Sequence, residues 1–256
     1  MTNEDIILAN RLAEAAGEAI RPFFRARFER ETKDDASPVT EADRASEAAM
    51  RRILSAERPA DGIIGEEYGN EREDAARIWV LDPIDGTRAF VAGRPLFGTL
   101  IALVEDRQPV LGLIDQPIIG DRWVGARGQV TQFNGLPAQS RRCAALANAH
   151  LGTTSPAAFP GSDLEKFQRV CAKAGDTLWG GDCHNYGLVA SGHLDAVIES
   201  GLKLYDFAAL IPVVEGAGGR TTDWQGRPLD ANSPGEVIAA GDPALIEQIV
   251  ALLAAR

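Results

Sequence analysis

The chain is short of cysteine, of histidine, of positive charge and of long apolar runs, and each shortage removes a class of protein. Only three cysteines, Cys143, Cys171 and Cys183, occur in 256 residues. They are odd in number and show neither a CxxC pair nor a ligand-like spacing, so neither a disulfide framework nor a structural zinc site is supported. The three histidines, His150, His184 and His193, share no metal-binding spacing and read as structural or surface residues, His184 merely near the pocket. Lys and Arg number 26 against 37 Asp and Glu, a formal net charge of −11. Such a field repels a nucleic-acid backbone, and no nucleic-acid partner is expected. No apolar stretch reaches the roughly 18 residues that a membrane span requires. The first residues are acidic where a signal peptide is basic, so the expectation is a cytoplasmic protein with no membrane partner.

What the chain has in quantity is carboxylate and burial capacity. With 45% hydrophobic residues it can enclose a sizeable core, as one large domain or two intimately packed halves. A phosphate ester would be repelled by the overall field as well, unless bound cations neutralise some carboxylates and reverse it locally.

Apolar residues at helical spacing over 3–30, among them Ile6, Leu8, Leu12, Ala16, Ile20 and Phe24, predict a long amphipathic helix. A polar linker at 33–39 precedes a second helix near Thr40, where Thr40-Glu41-Ala42-Asp43 resembles a capping box. From 62 to 125 the pattern changes to short apolar runs at 62–65, 78–81, 98–104, 110–114 and 122–124, which read as strands, with an antiparallel hairpin around 105–109. Beyond 140 strands and helices alternate. Strands are expected at 144–147, 195–199, 219–222 and 237–239, and helices from Ser162, after Gly181, from Asp206 and from Asp242-Pro243. No linker or repeat divides residues 1–256, which read as a single catalytic unit. Its approximate halves are 1–140, antiparallel-rich, and 141–256, α/β in texture. The class is α+β.

Chemistry concentrates where apolar strands end in acids. Asp82 follows Ile78-Trp79-Val80-Leu81, and Pro83 is expected to stop the strand. With Asp85 three residues on and Gly86 permitting a tight turn, two carboxylates and the Ile84 carbonyl can converge on one small volume, a hard-oxygen set that suits Mg²⁺. Gly65-Glu66-Glu67 closes another apolar strand with acids. Clustered carboxylates persist unprotonated where multivalent cations hold them. Asp-Pro and Asp-Gly pairs are also ordinary turn formers, but the whole string after an apolar strand outweighs that reading. Thr87 opens a short helix, as a cap or as a group that orients water while the adjacent N–H groups hold phosphate.

In this order and combination, Gly65-Glu66-Glu67, Trp79-Val80-Leu81-Asp82-Pro83-Ile84-Asp85-Gly86-Thr87 and Tyr205-Asp206-Phe207-Ala208-Ala209 resemble the signature motifs of the inositol-monophosphatase superfamily. The resemblance implies a five-layered αβαβα sandwich and a phosphomonoesterase using two Mg²⁺ ions, with a third, weaker ion near Glu66. By position, Glu66, Asp82 and the Ile84 carbonyl would hold one ion, and Asp82, Asp85 and Asp206 the second. Thr87 would orient the attacking water with Asp43 and Thr40 behind it and Glu67 close to the same network, while the Gly86 and Thr87 amides grip the phosphate. Hydrolysis would proceed without a covalent phosphoenzyme. Haloacid-dehalogenase-type phosphatases place their two acids one residue closer, as Asp-x-Asp-Gly-Thr, and this chain does not. It carries Tyr205 where the family has Trp, a change expected to affect packing behind Asp206 rather than ligation.

Within the superfamily, Thr87-Arg88-Ala89-Phe90-Val91 and Trp179-Gly180-Gly181-Asp182-Cys183-His184 resemble the histidinol-phosphate phosphatase branch. Asp182 suits a cationic alcohol such as histidinol, and inositol offers no charge to meet it. The competing reading makes Asp182 an N-cap after Gly180-Gly181. Glu199 aligns with a substrate-contacting glutamate of the family. Arg88 is a candidate phosphate contact or a surface charge, and Lys33 a candidate loop lysine or a solvated one. The expected substrate is L-histidinol phosphate, a small phosphorylated alcohol, with inositol 1-phosphate or a broad range of small esters as the alternative. An inactive acidic scaffold is the non-enzyme reading, against which every expected ligand is present. Family precedent implies a homodimer.

Overall fold

Strands that are apolar on both faces need cover on both sides, and the chain supplies it as five alternating layers. The computed structural model describes residues 1–26, 30–32 and 38–255, with backbone alone at 30–32 and 38–40. Helix α1 (Asn3–Ile20) is followed by the paired strands β1 (Arg30–Thr32) and β2 (Pro38–Thr40) and by helix α2 (Glu41–Glu57). Then come β3 (Gly62–Gly65), β4 (Gly69–Glu71), β5 (Arg77–Asp85), the short α3 (Thr87–Val91), β6 (Gly98–Glu105), β7 (Gln108–Gln116), β8 (Asp121–Ala126), β9 (Gln132–Phe133) and β10 (Leu136–Pro137). The remainder runs β11 (His150–Thr153), α4 (Asp163–Cys171), β12 (Asp176–Trp179), α5 (His184–Ala190), β13 (Ala196–Glu199), α6 (Leu204–Phe207), α7 (Leu210–Gly216), β14 (Arg220–Thr222), β15 (Val237–Ala240) and α8 (Ala244–Ala254).

Eight strands form one sheet in the order β10-β9-β8-β7-β6-β5-β3-β4, antiparallel except where β3 lies beside β5. Five form the other, β12-β11-β13-β15-β14, parallel over its first three strands and antiparallel after them. Alternation along β5 sorts its side chains. Trp79 and Leu81 face α1 and α2, in a core with Leu12 and Met50, whereas Val80 faces Tyr186 of α5, Val213 of α7 and Val197 of the second sheet. Helices α4 and α8 cover that sheet's outer face through Phe167, Val170, Leu245 and Ile249. Each such side chain, fully buried, contributes about 1.5–3 kcal/mol relative to exposure. The result is an α+β protein with the αβαβα order foreseen above.

The middle helices sit unusually close to the large sheet. A Cβ on Gly112 would lie 1.9 Å from the Ala209 carbonyl oxygen, and one on Gly125 2.3 Å from that of Pro212. Glycine on the sheet and alanine at 208 and 209 therefore let α6 and α7 approach until Asp206 stands over the end of β5.

Three expected elements take other forms. The helix over 3–30 stops at Ile20, because Pro22 cannot donate within a helix, and a 3₁₀ turn at Arg21–Phe23 follows. Phe24 leaves the helical stripe and packs against Phe90 and Phe97, with ring centroids 5.9 and 5.6 Å away. The strand at 144–147 is instead a 3₁₀ turn at Leu146–Asn148, since Gln248 takes the Leu146 amide at 3.1 Å and the Ala144 carbonyl at 2.9 Å. The helix at Asp206 starts earlier, at Leu204, and breaks into α6 and α7. The β6–β7 hairpin forms as expected, through a two-residue turn in which Asp106 and Arg107 both have positive φ, 49° and 63°. Among the described residues no helix is long and apolar enough to cross a membrane, and the three cysteines are free.

Candidate active site

Asp82 and Asp85 are three residues apart, and in an unbroken strand they would point to opposite faces. The β5–β6 ladder slips here. Asp82 pairs with Leu100 and Asp85 with Gly98, so Pro83 and Ile84 together oppose Thr99 in a β-bulge. Ile84 joins Leu81 in the α1–α2 core, and both carboxylates come out on the side of α6. Pro83 therefore does not stop the strand, as its sequence position implied. It occupies the bulge, where no ladder hydrogen bond asks for its missing N–H. Its carbonyl accepts from Thr99 Oγ1 at 2.8 Å, and that of Ile84 accepts from Thr87 Oγ1 at 3.1 Å.

Helix α6 brings the third acid. Asp206 Oδ2 accepts the Lys203 amide at 2.6 Å, and one carboxylate oxygen each from Asp82, Asp85 and Asp206 lies within 4.8 Å of the others. Asp85 Oδ2 accepts the Cys183 amide from the start of α5 at 2.6 Å. Asp82 is 1% exposed and its Oδ1 has no hydrogen-bond partner. Burial pushes the Asp82 carboxyl well above its ordinary range, and the charges of Glu66, Asp85, Asp206 and Asp43 push it further. Asp85 is raised well above its ordinary range in the same way, by burial and by Asp182 and Asp206, and burial takes Asp206 to about 6. Buried acids that repel one another, with an orphaned oxygen among them, are a donor set that fits a hard divalent cation such as Mg²⁺.

Glu66, Glu67, Gly86, Thr87 and Arg88 line a cavity of about 700 Å³, and Asp182 is common to it and to a smaller recess lined by Asp85 and Asp206. Gly86, at φ +86°, caps α3, so Thr87 is the first helical residue and not the cap. Glu67 lies 3.8 Å from Arg44. Asp43 is buried on α2, and Thr40 ends β2 with its side chain outside the described residues, as Lys33 is entirely.

The opposite wall comes from the smaller sheet. Gly180, Gly181 and Asp182 follow edge strand β12 with φ of +98°, +115° and +46°. Cys183, not Asp182, holds the N-cap position of α5, which removes the capping reading of Asp182. Its carboxylate turns into the cavity, so close to Gly86 that a Cβ there would lie 2.9 Å from Asp182 Cγ. Burial and the charge of Glu199 push the Asp182 carboxyl up to about 7, against the opposite pull of Arg88. Glu199 accepts from Tyr186 Oη at 2.8 Å and from the Thr154 amide at 2.9 Å, and with Asp85, Asp182 and Asp206 it lines a recess of about 150 Å³.

Sequence reasoning missed Cys183, Tyr186 and Thr154, whose contributions are a backbone amide, a buried hydroxyl and another amide. It placed His184 near the pocket without a metal role, and the residue lines the cavity, edge-on to Trp123 with ring centroids 5.7 Å apart.

The inositol monophosphatase family pattern matches residues 2–256. The chain is 48% identical over 250 residues to the chloroplastic bifunctional phosphatase IMPL2 of Arabidopsis thaliana, covering 94% of this chain and 72% of that protein. It is 38% identical over 233 residues to the histidinol-phosphatase of Mycobacterium tuberculosis, covering 88% and 90%. The solved structure of an inositol monophosphatase from Zymomonas mobilis superposes with a TM-score of 0.91 at 58% identity over 98% of each chain. A match across the whole chain joins the layered fold and the acidic cluster under one heading: this protein belongs to the inositol monophosphatase family and is a phosphatase.

Proposed function

We propose that the enzyme hydrolyses L-histidinol phosphate to L-histidinol and inorganic phosphate, with Mg²⁺ held by Glu66, Asp82, the Ile84 carbonyl, Asp85 and Asp206. The observation that carries the choice of ester is the acidic far wall. Asp182 and Glu199 face a recess on the leaving-group side, and a cationic alcohol lowers the cost of keeping both ionised. The histidinol-phosphatase name of one relative supports the same reading.

When bound, Mg²⁺ screens the ester's charge and makes water a competent nucleophile at neutral pH. The chain's own groups do the placing. The Thr87 hydroxyl spends its proton on the Ile84 carbonyl, leaving its lone pairs to accept from the attacking water. The Gly86 and Thr87 amides receive the phosphate oxygens, with Arg88 at the cavity wall. Asp182 draws the ammonium of the alcohol, and the Tyr186 and Thr154 hydrogen bonds hold Glu199 so that its charge faces the same group. Water adds to phosphorus as the ester oxygen leaves and takes up a proton, giving alcohol and phosphate.

Inositol 1-phosphate is the second reading, favoured by the 58% identity to an inositol monophosphatase. Phosphate release from histidinol phosphate, inositol 1-phosphate and 3′,5′-adenosine bisphosphate, each with Mg²⁺, separates the two. A higher kcat/KM for either of the last two overturns the proposal.

A further inference from the structure

Glu66, whose charge acts on Asp82 from outside the three-acid group, stands on the weakest part of the large sheet. It stands in the turn between β3 and β4, and β4 is an exposed strand of three residues at the sheet's edge. One side of the turn is tied to β5, because the Glu66 amide donates to the Leu81 carbonyl at 3.3 Å, next to Asp82. The other side is held by a side chain of α2. Glu47, wholly buried, accepts the Glu67 amide at 2.7 Å through Oε2 and the Tyr68 amide at 3.2 Å through Oε1.

Arg51, one helical turn on, locks that carboxylate. Its Nε donates to Glu47 Oε1 at 2.7 Å, its Nη1 to Glu71 Oε1 at 2.8 Å, and its Nη2 to the Gly69 carbonyl. Asp43, Glu47 and Arg51 follow at four-residue spacing along one face of α2. The charge of Asp43 acts on Asp82, so one rigid helix face governs both the surroundings of Asp82 and the turn that carries Glu66. Gly65 makes room for this: a Cβ there would lie 2.1 Å from Glu47 Oε1 and 2.6 Å from Arg51 Nη2. The negative charge of Glu47 is met by the guanidinium, so the residue can grip main-chain amides beside an acidic cluster without itself needing a cation.

The geometry points to Glu47, locked by Arg51, as the positioning residue that sets the reach of Glu66 into the metal cluster; this rests on the reading that Glu66 ligates Mg²⁺. Groups that orient a ligand from behind typically change metal affinity or activity by about 10- to 100-fold when lost. A mere fastener of β4 to α2 would change stability and leave the cation's affinity alone.

The test is calorimetric titration of Mg²⁺ into the full-length, chelator-treated protein, as wild type, Glu47→Gln, and the double variant Glu47→Gln/Arg51→Met. The double variant leaves no uncompensated buried charge, so it covers the case in which the single change does not fold. The expected result is Mg²⁺ affinity about tenfold weaker or more in the folded variants. The Mg²⁺ concentration giving half-maximal phosphate release should rise in parallel, and kcat should largely recover at saturating Mg²⁺. Folded variants that bind Mg²⁺ as tightly as wild type, whatever their melting temperature, overturn the assignment. Titration needs no ester, so a wrong leaving group fails the comparison of substrates and not this one.

Discussion

Asp82 and Asp85 are carried by a strand with neighbours on both sides, whereas Asp182 hangs from β12, the last strand of the smaller sheet. The first pair lies between two cores, and threonine hydroxyls hold the carbonyls of both bulged residues. The second wall is three consecutive residues of positive φ next to Trp179, which is 47% exposed. Under the proposed function, the cation's ligands stand on a rigid interior element and the group that selects the alcohol stands at an edge, where it can vary with little cost to the fold.

The sharpest way to break that contrast is Asp82→Asn. Phosphate release should fall about 10³-fold for every ester, as for loss of a principal electrostatic group in a catalytic site. In metal-free buffer the same variant should melt higher than wild type, because one repelling buried charge is gone. A variant that keeps its activity would remove Asp82 from the metal centre.

Gly86→Ala strikes where the walls meet. Alanine at φ +86° costs about 1–2 kcal/mol, and its methyl would press on Asp182. Displacement of reacting groups by about an ångström predicts a loss near 10²-fold in kcat. Activity close to wild type would show that the walls are independent.

Mg²⁺ itself should stabilise the wild-type protein by about 2.7 kcal/mol at a hundred times its Kd, a rise of roughly 5–10 °C by differential scanning calorimetry for a chain of this size. Asp82→Asn should lose most of that rise and Asp182→Ala none of it. Equal loss in both would place Asp182 in the metal cluster.

The smallest effect concerns choice. Asp182→Ala should lower kcat/KM for histidinol phosphate about 10- to 100-fold, the worth of one charge-assisted contact, and leave inositol 1-phosphate nearly unchanged. An equal loss for both esters would end the charge-recognition reading.

Much of this arrangement was legible in the sequence, for a physical reason. Acids that close apolar strands announce themselves, so Glu66, Asp82 and Asp85 could be named from spacing, and Asp206 from the resemblance. The bulge could not. Two-residue alternation and short apolar runs are the strand signals a sequence carries, and Pro83 reads as a terminator under either. Glu47 was equally hidden, since one glutamate on an amphipathic helix looks like a solvated charge. The available clues were Glu47 and Arg51 four apart and a glycine ending the β3 run. Cys183 and Thr154 act through main-chain N–H groups, which no side-chain pattern reports. Asp182 was undecided between cap and cavity because both readings use the same residue type, and only the backbone at 180–182 separates them.

The bulge in β5 has a consequence for assembly as well as for chemistry. A strand that is apolar on both faces has little polar contrast to fix its register, and a slip of one residue turns every side chain over. Here Pro83 sits in the bulge and Thr99 of β6 meets its carbonyl, which ties β5 to one alignment on β6. The irregularity that gathers the carboxylates thus also marks the alignment of β5 on β6, and a substitution that smoothed it would strain the pairing of these two strands as well as the site.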